Sequence, residues 1–124
     1  MDLRAQRYAD VVVLKPVGRV DHANAEAFTQ ALAPHLKDCK AGGDQLLFDL
    51  SALDYVSSAG LRVLMLAAKR SQPVGGHIAV AAPQPVVKEI LEISRFNLVF
   101  PMHATVREGL AALSAAASAA HAKV

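Results

Sequence analysis

The chain has 124 residues, 53% of them hydrophobic and 19% charged, a balance that excludes a disordered segment and fits one domain with a real core. Its formal net charge of +2 is spread along the sequence, with Lys69-Arg70 the longest local excess and no aromatic platform beside it, which argues against a nucleic-acid partner. The single cysteine, Cys39, excludes an internal disulfide. With neither an N-terminal apolar h-region nor a membrane-length apolar run, the expected compartment is the cytoplasm, without membrane insertion.

Taken in order, Met1–Ala9 is polar and weakly patterned and leads through Asp10 to the apolar run Val11–Leu14, a first long strand or a strand pair. Lys15-Pro16-Val17-Gly18 breaks it; Pro16 cannot donate to a ladder and belongs at a strand edge or bend. Gly18–His22 then feeds a helix over Ala23–Leu36, where Phe28, Leu32 and Leu36, spaced by four, face the core and Asp21 or Asn24 is the cap. Lys37–Asp44, with Gly42-Gly43, is the returning loop.

Leu46-Leu47-Phe48 is a continuous apolar run that suits a central strand covered on both faces, and it ends in Asp49-Leu50-Ser51. After a polar turn, Leu61, Leu64, Met65 and Ala68 repeat at helical spacing. Val63, Leu66 and Ala67 widen that stripe until only Arg62, Lys69 and Arg70 are left to meet water. Ser71–Gly76 ends the helix, and His77–Ala82 reads as another buried strand. Pro83-Gln84-Pro85 opens a helix continued by Val86, Ile90, Leu91 and Ser94. Asn97–Phe100 reads as a short last strand stopped by Pro101. From Thr105 to about Ala120 an alanine-rich stretch, with Val106, Leu110 and Leu113 spaced by three or four, reads as one helix. Strands alternating with helices predict a single α/β domain over residues 1–124, with a mixed, mostly parallel sheet and about four α-helices.

The chemistry concentrates at Val56-Ser57-Ser58-Ala59-Gly60, between the central strand and its helix. As a hydrolase nucleophile the serine pair fails, because the elbow motif needs glycines on both sides and residues 56 and 59 are Val and Ala. As a phosphate-binding loop it fails too, since Gly60 stands without a preceding glycine and a Lys-Ser/Thr pair. Local sequence favours a helix cap, in which a serine oxygen takes one of the N–H groups that a helix start leaves unpaired. His22, His35, His77, His103 and His121 are scattered over separate elements without a second ligand at helical spacing, so no metal site is expected. Cys39 lies near Lys37 and Lys40 and reads as a plain loop or interior cysteine. No catalytic set and no cofactor site emerge, and an enzyme is not expected.

Three motifs in order carry a resemblance over almost the whole chain. Phe48-Asp49-Leu50-Ser51 followed by Tyr55-Val56-Ser57-Ser58-Ala59-Gly60-Leu61-Arg62-Val63-Leu64 resembles the signature of STAS domains, the fold of bacterial anti-sigma factor antagonists. Gly18-Arg19-Val20-Asp21-His22 resembles that family's strand-end turn, and Val86–Ser94 its penultimate helix. The resemblance implies a partner-switching regulator that binds an anti-sigma factor serine kinase when unphosphorylated and lets go when phosphorylated. Aligned on Gly60-Leu61, Ser58 takes the phosphoacceptor position and Ser57 stands where the family usually has Asp. Arg95 replaces a glycine often found after the penultimate helix, which implies a local change of loop shape. The partner-binding residues so implied are Asp21, His22, Ser57, Ser58, Ala59, Gly60 and Arg62. The alternative is an accessory subunit docked on the ATPase of an ABC-type lipid transport system, since stand-alone STAS proteins also serve there.

Overall fold

A computed structural model of the chain describes residues 1–123, so Val124, the last residue of the expected domain, lies outside the described residues. The order is β1 Leu3–Tyr8, β2 Val11–Pro16, β3 Gly18–Val20, α1 Ala25–Lys37, β4 Gln45–Asp49, β5 Leu53–Val56 and α2 Ser58–Ser71. There follow β6 Ile78–Ala81, α3 Pro85–Ile93, β7 Met102–His103, α4 Val106–Leu113 and α5 Ala115–Ala122. The main sheet runs β1-β2-β4-β6-β7, with β1 antiparallel to β2 and the remaining neighbours parallel. β3 and β5 pair in parallel as a separate two-stranded ribbon.

The apolar runs are continuous because both faces of the sheet are covered. On one face Val12, Leu14, Leu46, Phe48, Ile78 and Val80 pack against Phe28, Leu32, Leu64, Ala67, Val87 and Leu91 from α1, α2 and α3. On the other, the alternate residues Val11, Val13, Leu47, Ala79 and Ala81 meet Leu110 and Ala117 from α4 and α5. β4 lies in the middle, as its sequence predicts, and each large aliphatic or aromatic side chain buried there contributes about 1.5–3 kcal/mol. α4 comes close enough over Leu47 that a Cβ on Gly109 would meet Leu47 Cδ1 at 2.8 Å.

Of the two readings of the first segment, the strand pair is the one found, because the two residues Ala9-Asp10 turn β1 back on β2, with Ala9 at φ 51 supplying the left-handed backbone that tight hairpins favour. Other expectations are corrected. The stretch read as a polar turn contains β5, whose Leu53 and Val56 are buried against β3. Asn97–Phe100 is not a strand. Phe96–Leu98 forms a 3-10 turn, Phe100 N–H bonds Phe96 O at 2.8 Å, and the two rings stack with centroids 6.0 Å apart. Pro101 does not end a strand either: its carbonyl accepts from Val80 N–H at 2.9 Å and starts the edge that β7 continues.

The C-terminal helix is broken at Ser114, which is extended at φ −161, ψ 123, so that the described residues hold five α-helices where about four are expected. Ser114 Oγ donates to Asp10 Oδ1 at 2.5 Å and accepts from Ala117 N–H at 3.1 Å, so a tie to the β1–β2 turn overrides alanine propensity. Leu66, expected inside, is 53% exposed. Arg95 takes φ 61, a conformation glycine adopts readily, so the backbone there keeps a glycine-like course instead of a new loop shape.

Candidate functional site

The site is built where the β3–β5 ribbon hands the chain to α2. Ser57 follows β5 in an extended conformation, and its N–H donates to Val20 O at 2.9 Å, fixing the turn to the end of β3. Its Oγ accepts from Gly60 N–H at 3.4 Å and its carbonyl from Leu61 N–H at 2.9 Å. Ser57 is therefore the N-cap. Ser58 is the first helical residue and is exposed, leaving its hydroxyl outside the cap.

Gly60 lets this turn sit down on the ribbon. A Cβ there would meet Val56 Cγ2 at 2.7 Å, Val20 Cγ1 at 2.8 Å and Val20 O at 3.2 Å. Ala59 is half-buried beside it. One turn further on, exposed Arg62 lies on the side of α2 that carries Ser58, as i and i+4 spacing requires.

Ser58, Arg62 and Leu66 form a ridge between two shallow grooves. One runs along α1 past Ala25, Glu26 and Thr29; the other is walled by Leu61, Met65, Lys69 and Phe96. The groove residues escape a reading of the sequence. The signal available was the spacing by four from Ser58 through Arg62 to Leu66, which puts an apolar residue on the same open side as a serine and an arginine.

Asp21 and His22 lie in the loop from β3 to α1, joined to the serine turn through Val20 and not in the turn itself. Asp21 is half-buried and shapes its own loop, with Oδ1 accepting from Ala23 N–H at 3.0 Å and Oδ2 3.7 Å from Arg19 Nε. Asn24 occupies the cap position of α1, yet its side chain turns back: Oδ1 accepts from Asp21 N–H at 2.9 Å and Nδ2 donates to Arg19 O at 2.8 Å. His22 is exposed beside them. Arg19, absent from the expected set, stacks its guanidinium 4.9 Å over the ring of Tyr55, its partner in the β3–β5 register. That contact becomes visible only once β5 is recognised as a strand.

Elsewhere, Cys39 is buried, and burial pushes its thiol above the ordinary range, consistent with an interior cysteine and not a reactive one. Among the described residues no group of three or more His, Cys, Asp or Glu is placed to hold a metal ion, and no helix is long and apolar enough to cross a membrane.

With this geometry in view, the likeness to known proteins is informative. The STAS domain family matches residues 2–109. A candidate anti-sigma factor antagonist of Bordetella bronchiseptica, BtrV, is 42% identical over 95 residues, covering 77% of this chain and 78% of that protein. Among solved structures, an anti-sigma factor antagonist from Mycobacterium paratuberculosis superposes with a TM-score of 0.80 at 24% identity, over 90% of this chain and 92% of that one. The phosphorylated form of the Bacillus cell fate determinant SpoIIAA gives a TM-score of 0.68 at 16% identity, over 91% of this chain and 100% of that one. The two structures share the fold, while the family match and the Bordetella relative place the sequence: the chain belongs to the STAS domain family.

Proposed function

We propose that the protein is an anti-sigma factor antagonist that works as a partner switch. Unphosphorylated, it covers an anti-sigma factor kinase with the face around Ser58; phosphorylated on Ser58, it releases that kinase. The observation that carries this reading is the division of labour at the start of α2, where Ser57 holds the cap and Ser58 presents an exposed hydroxyl beside Arg62 and two grooves. The name of the 42% identical relative supports the anti-sigma factor antagonist part of this reading.

The physics of the switch is local. A phosphoserine carries nearly two negative charges and, at a helix N-terminus, meets free N–H groups and the positive end of the helix dipole, so the fold tolerates the modification. The partner does not. Burying that dianion without a matching cation costs several kcal/mol, and a loss of about 4 kcal/mol is roughly a thousandfold in affinity. The protein supplies only the hydroxyl; the kinase supplies ATP and its metal, and the proposed exchange is a cytoplasmic one.

The test is capture of the bound ATPase from the source organism, followed by titration of that kinase with wild type, Ser58→Asp and Ser58→Ala. Ser58→Asp binds weakly, and Ser58→Ala binds but is not released by ATP. Capture of a transporter ATPase instead, or equal affinity of wild type and Ser58→Asp, overturns the reading.

A further inference from the structure

The α4/α5 face of the sheet is covered only in part. α4 and α5 close over Val11, Val13, Leu47 and Ala81, but toward the carboxyl ends of β2 and β4 a pocket stays open. Arg4, Gln6, Lys15, Asp49 and His121 line it, around Val13 and Val106. Open α/β sheets take ligands at the carboxyl ends of their strands, and this pocket lies at such an end.

Its charges are arranged against stability. Arg4 and Gln6 share a face of β1, and the antiparallel register sets Arg4 directly opposite Lys15, with Gln6 opposite Val13. Like charges facing each other across a ladder destabilise it. Arg4 has one carboxylate near, Asp2 at 3.4 Å, but both side chains are more than half exposed and such a pair contributes little. Among the described residues no carboxylate stands within ion-pair distance of half-buried Lys15. Asp49, in the same wall, has Oδ1 engaged by Ser51 N–H at 3.0 Å, and this one carboxylate against the two cations Arg4 and Lys15 leaves the wall with an excess of positive charge. The remaining wall is aromatic: the Tyr8 and His121 rings meet edge to face with centroids 5.1 Å apart.

We propose that this pocket binds a small soluble phosphomonoester. Its oxygens bridge Arg4 and Lys15, where an anion turns the cross-strand repulsion into attraction, and Gln6 donates an amide N–H. Its carbon body lies on Val13 and Val106 against the Tyr8–His121 pair. The site is separate from the serine turn, since α2 packs on the opposite face of the sheet, and it does not depend on the switch proposed above.

The experiment is an amide NMR titration of the full chain at low salt with inorganic phosphate, phenyl phosphate and vesicles of phosphatidic acid. Saturable shifts confined to residues around Arg4, Gln6, Lys15 and His121 are expected for both soluble probes, with phenyl phosphate the tighter. Arg4→Gln and Lys15→Met should each lose about tenfold or more in affinity. Without ligand, Lys15→Met should melt at or above the wild-type temperature, because the repulsion is gone. Shifts scattered over surface cations such as Lys69 and Arg70, unchanged affinity in both variants, or a response to vesicles alone would each overturn the proposal. So would a Lys15→Met protein that melts below wild type, since the ammonium would then already be satisfied.

Discussion

Gly60 and Val20 stand so close that a methyl group on Gly60 would come within 2.8 Å of Val20 Cγ1 and 3.2 Å of its carbonyl oxygen. The side chain can give a little; the carbonyl, which accepts Ser57 N–H, cannot do so without moving the cap. Gly60→Ala should therefore destabilise the protein by about 1–3 kcal/mol, as overpacking of a tight contact does. A thermal melt reads this as a fall of several degrees, and an unchanged melting temperature would show that α2 shifts freely on the ribbon.

The serine pair should separate cleanly in stability. Ser57→Ala removes the cap acceptor of α2 and should cost about 0.5–1 kcal/mol, the lower part of the usual range because the bond to Gly60 N–H is long at 3.4 Å. Ser58→Ala, at an exposed position outside the cap, should stay within about 0.5 kcal/mol of wild type. Urea unfolding of the two variants decides the matter, and equal losses would mean that the cap is shared.

Arg62 should matter only after modification. Its position one turn from Ser58 puts a guanidinium within reach of a phosphate there, a charge-assisted contact worth about 1.5–3 kcal/mol when partly shielded. Four melting curves, wild type and Arg62→Ala each with and without phosphate, should show the variant losing stability mainly in the phosphoprotein. If phosphorylation shifts both proteins alike, Arg62 is a partner contact or a plain surface residue.

Acid should loosen the C-terminal helix. The Ser114 hydroxyl, with help from the Gln45 amide and against a smaller effect of burial, holds the Asp10 carboxyl below the ordinary carboxylate range. A carboxyl depressed by folding stabilises fully above its unfolded value of about 3.9, and that stabilisation is lost as pH falls through the folded value. Wild type should thus exceed Asp10→Asn in urea midpoint at neutral pH, and the gap should shrink below about pH 4. Asp44, lowered chiefly by its paired bonds from Arg7 at 2.7 and 2.9 Å, is present in both proteins, and only the small upward push it receives from the Asp10 charge differs between them. A gap that does not change with pH would show that Asp10 stabilises through shape alone.

What the sequence reveals follows from what each element needs. β4 and β6 are buried on both faces and α2 buries one broad face through Val63, Leu64, Ala67 and Ala68, so hydrophobicity alone marks them. β5 has four residues and pairs with the three of β3, too few for a period-2 pattern to stand out. The break at Ser114 depends on Asp10, far away in the chain, and propensity carries no information about such a tie. At the site, the serine turn, Gly60 and Arg62 are legible because spacing along one helix fixes them. The groove walls from α1 and Phe96, and the stacking of Arg19 on Tyr55, require the tertiary fold.

The interior placement of Cys39 gives the intact chain its own reporter. Its Sγ is held 3.7 Å from His77 O, the residue is wholly shielded, and no second thiol exists to compete. Alkylating reagents can reach it only when α1 and the start of β6 part, so the rate of labelling counts openings of the native state without any engineered probe. Followed with and without the proposed kinase partner, the same clock would time how far docking at the opposite end of α2, if it occurs there, tightens the whole molecule.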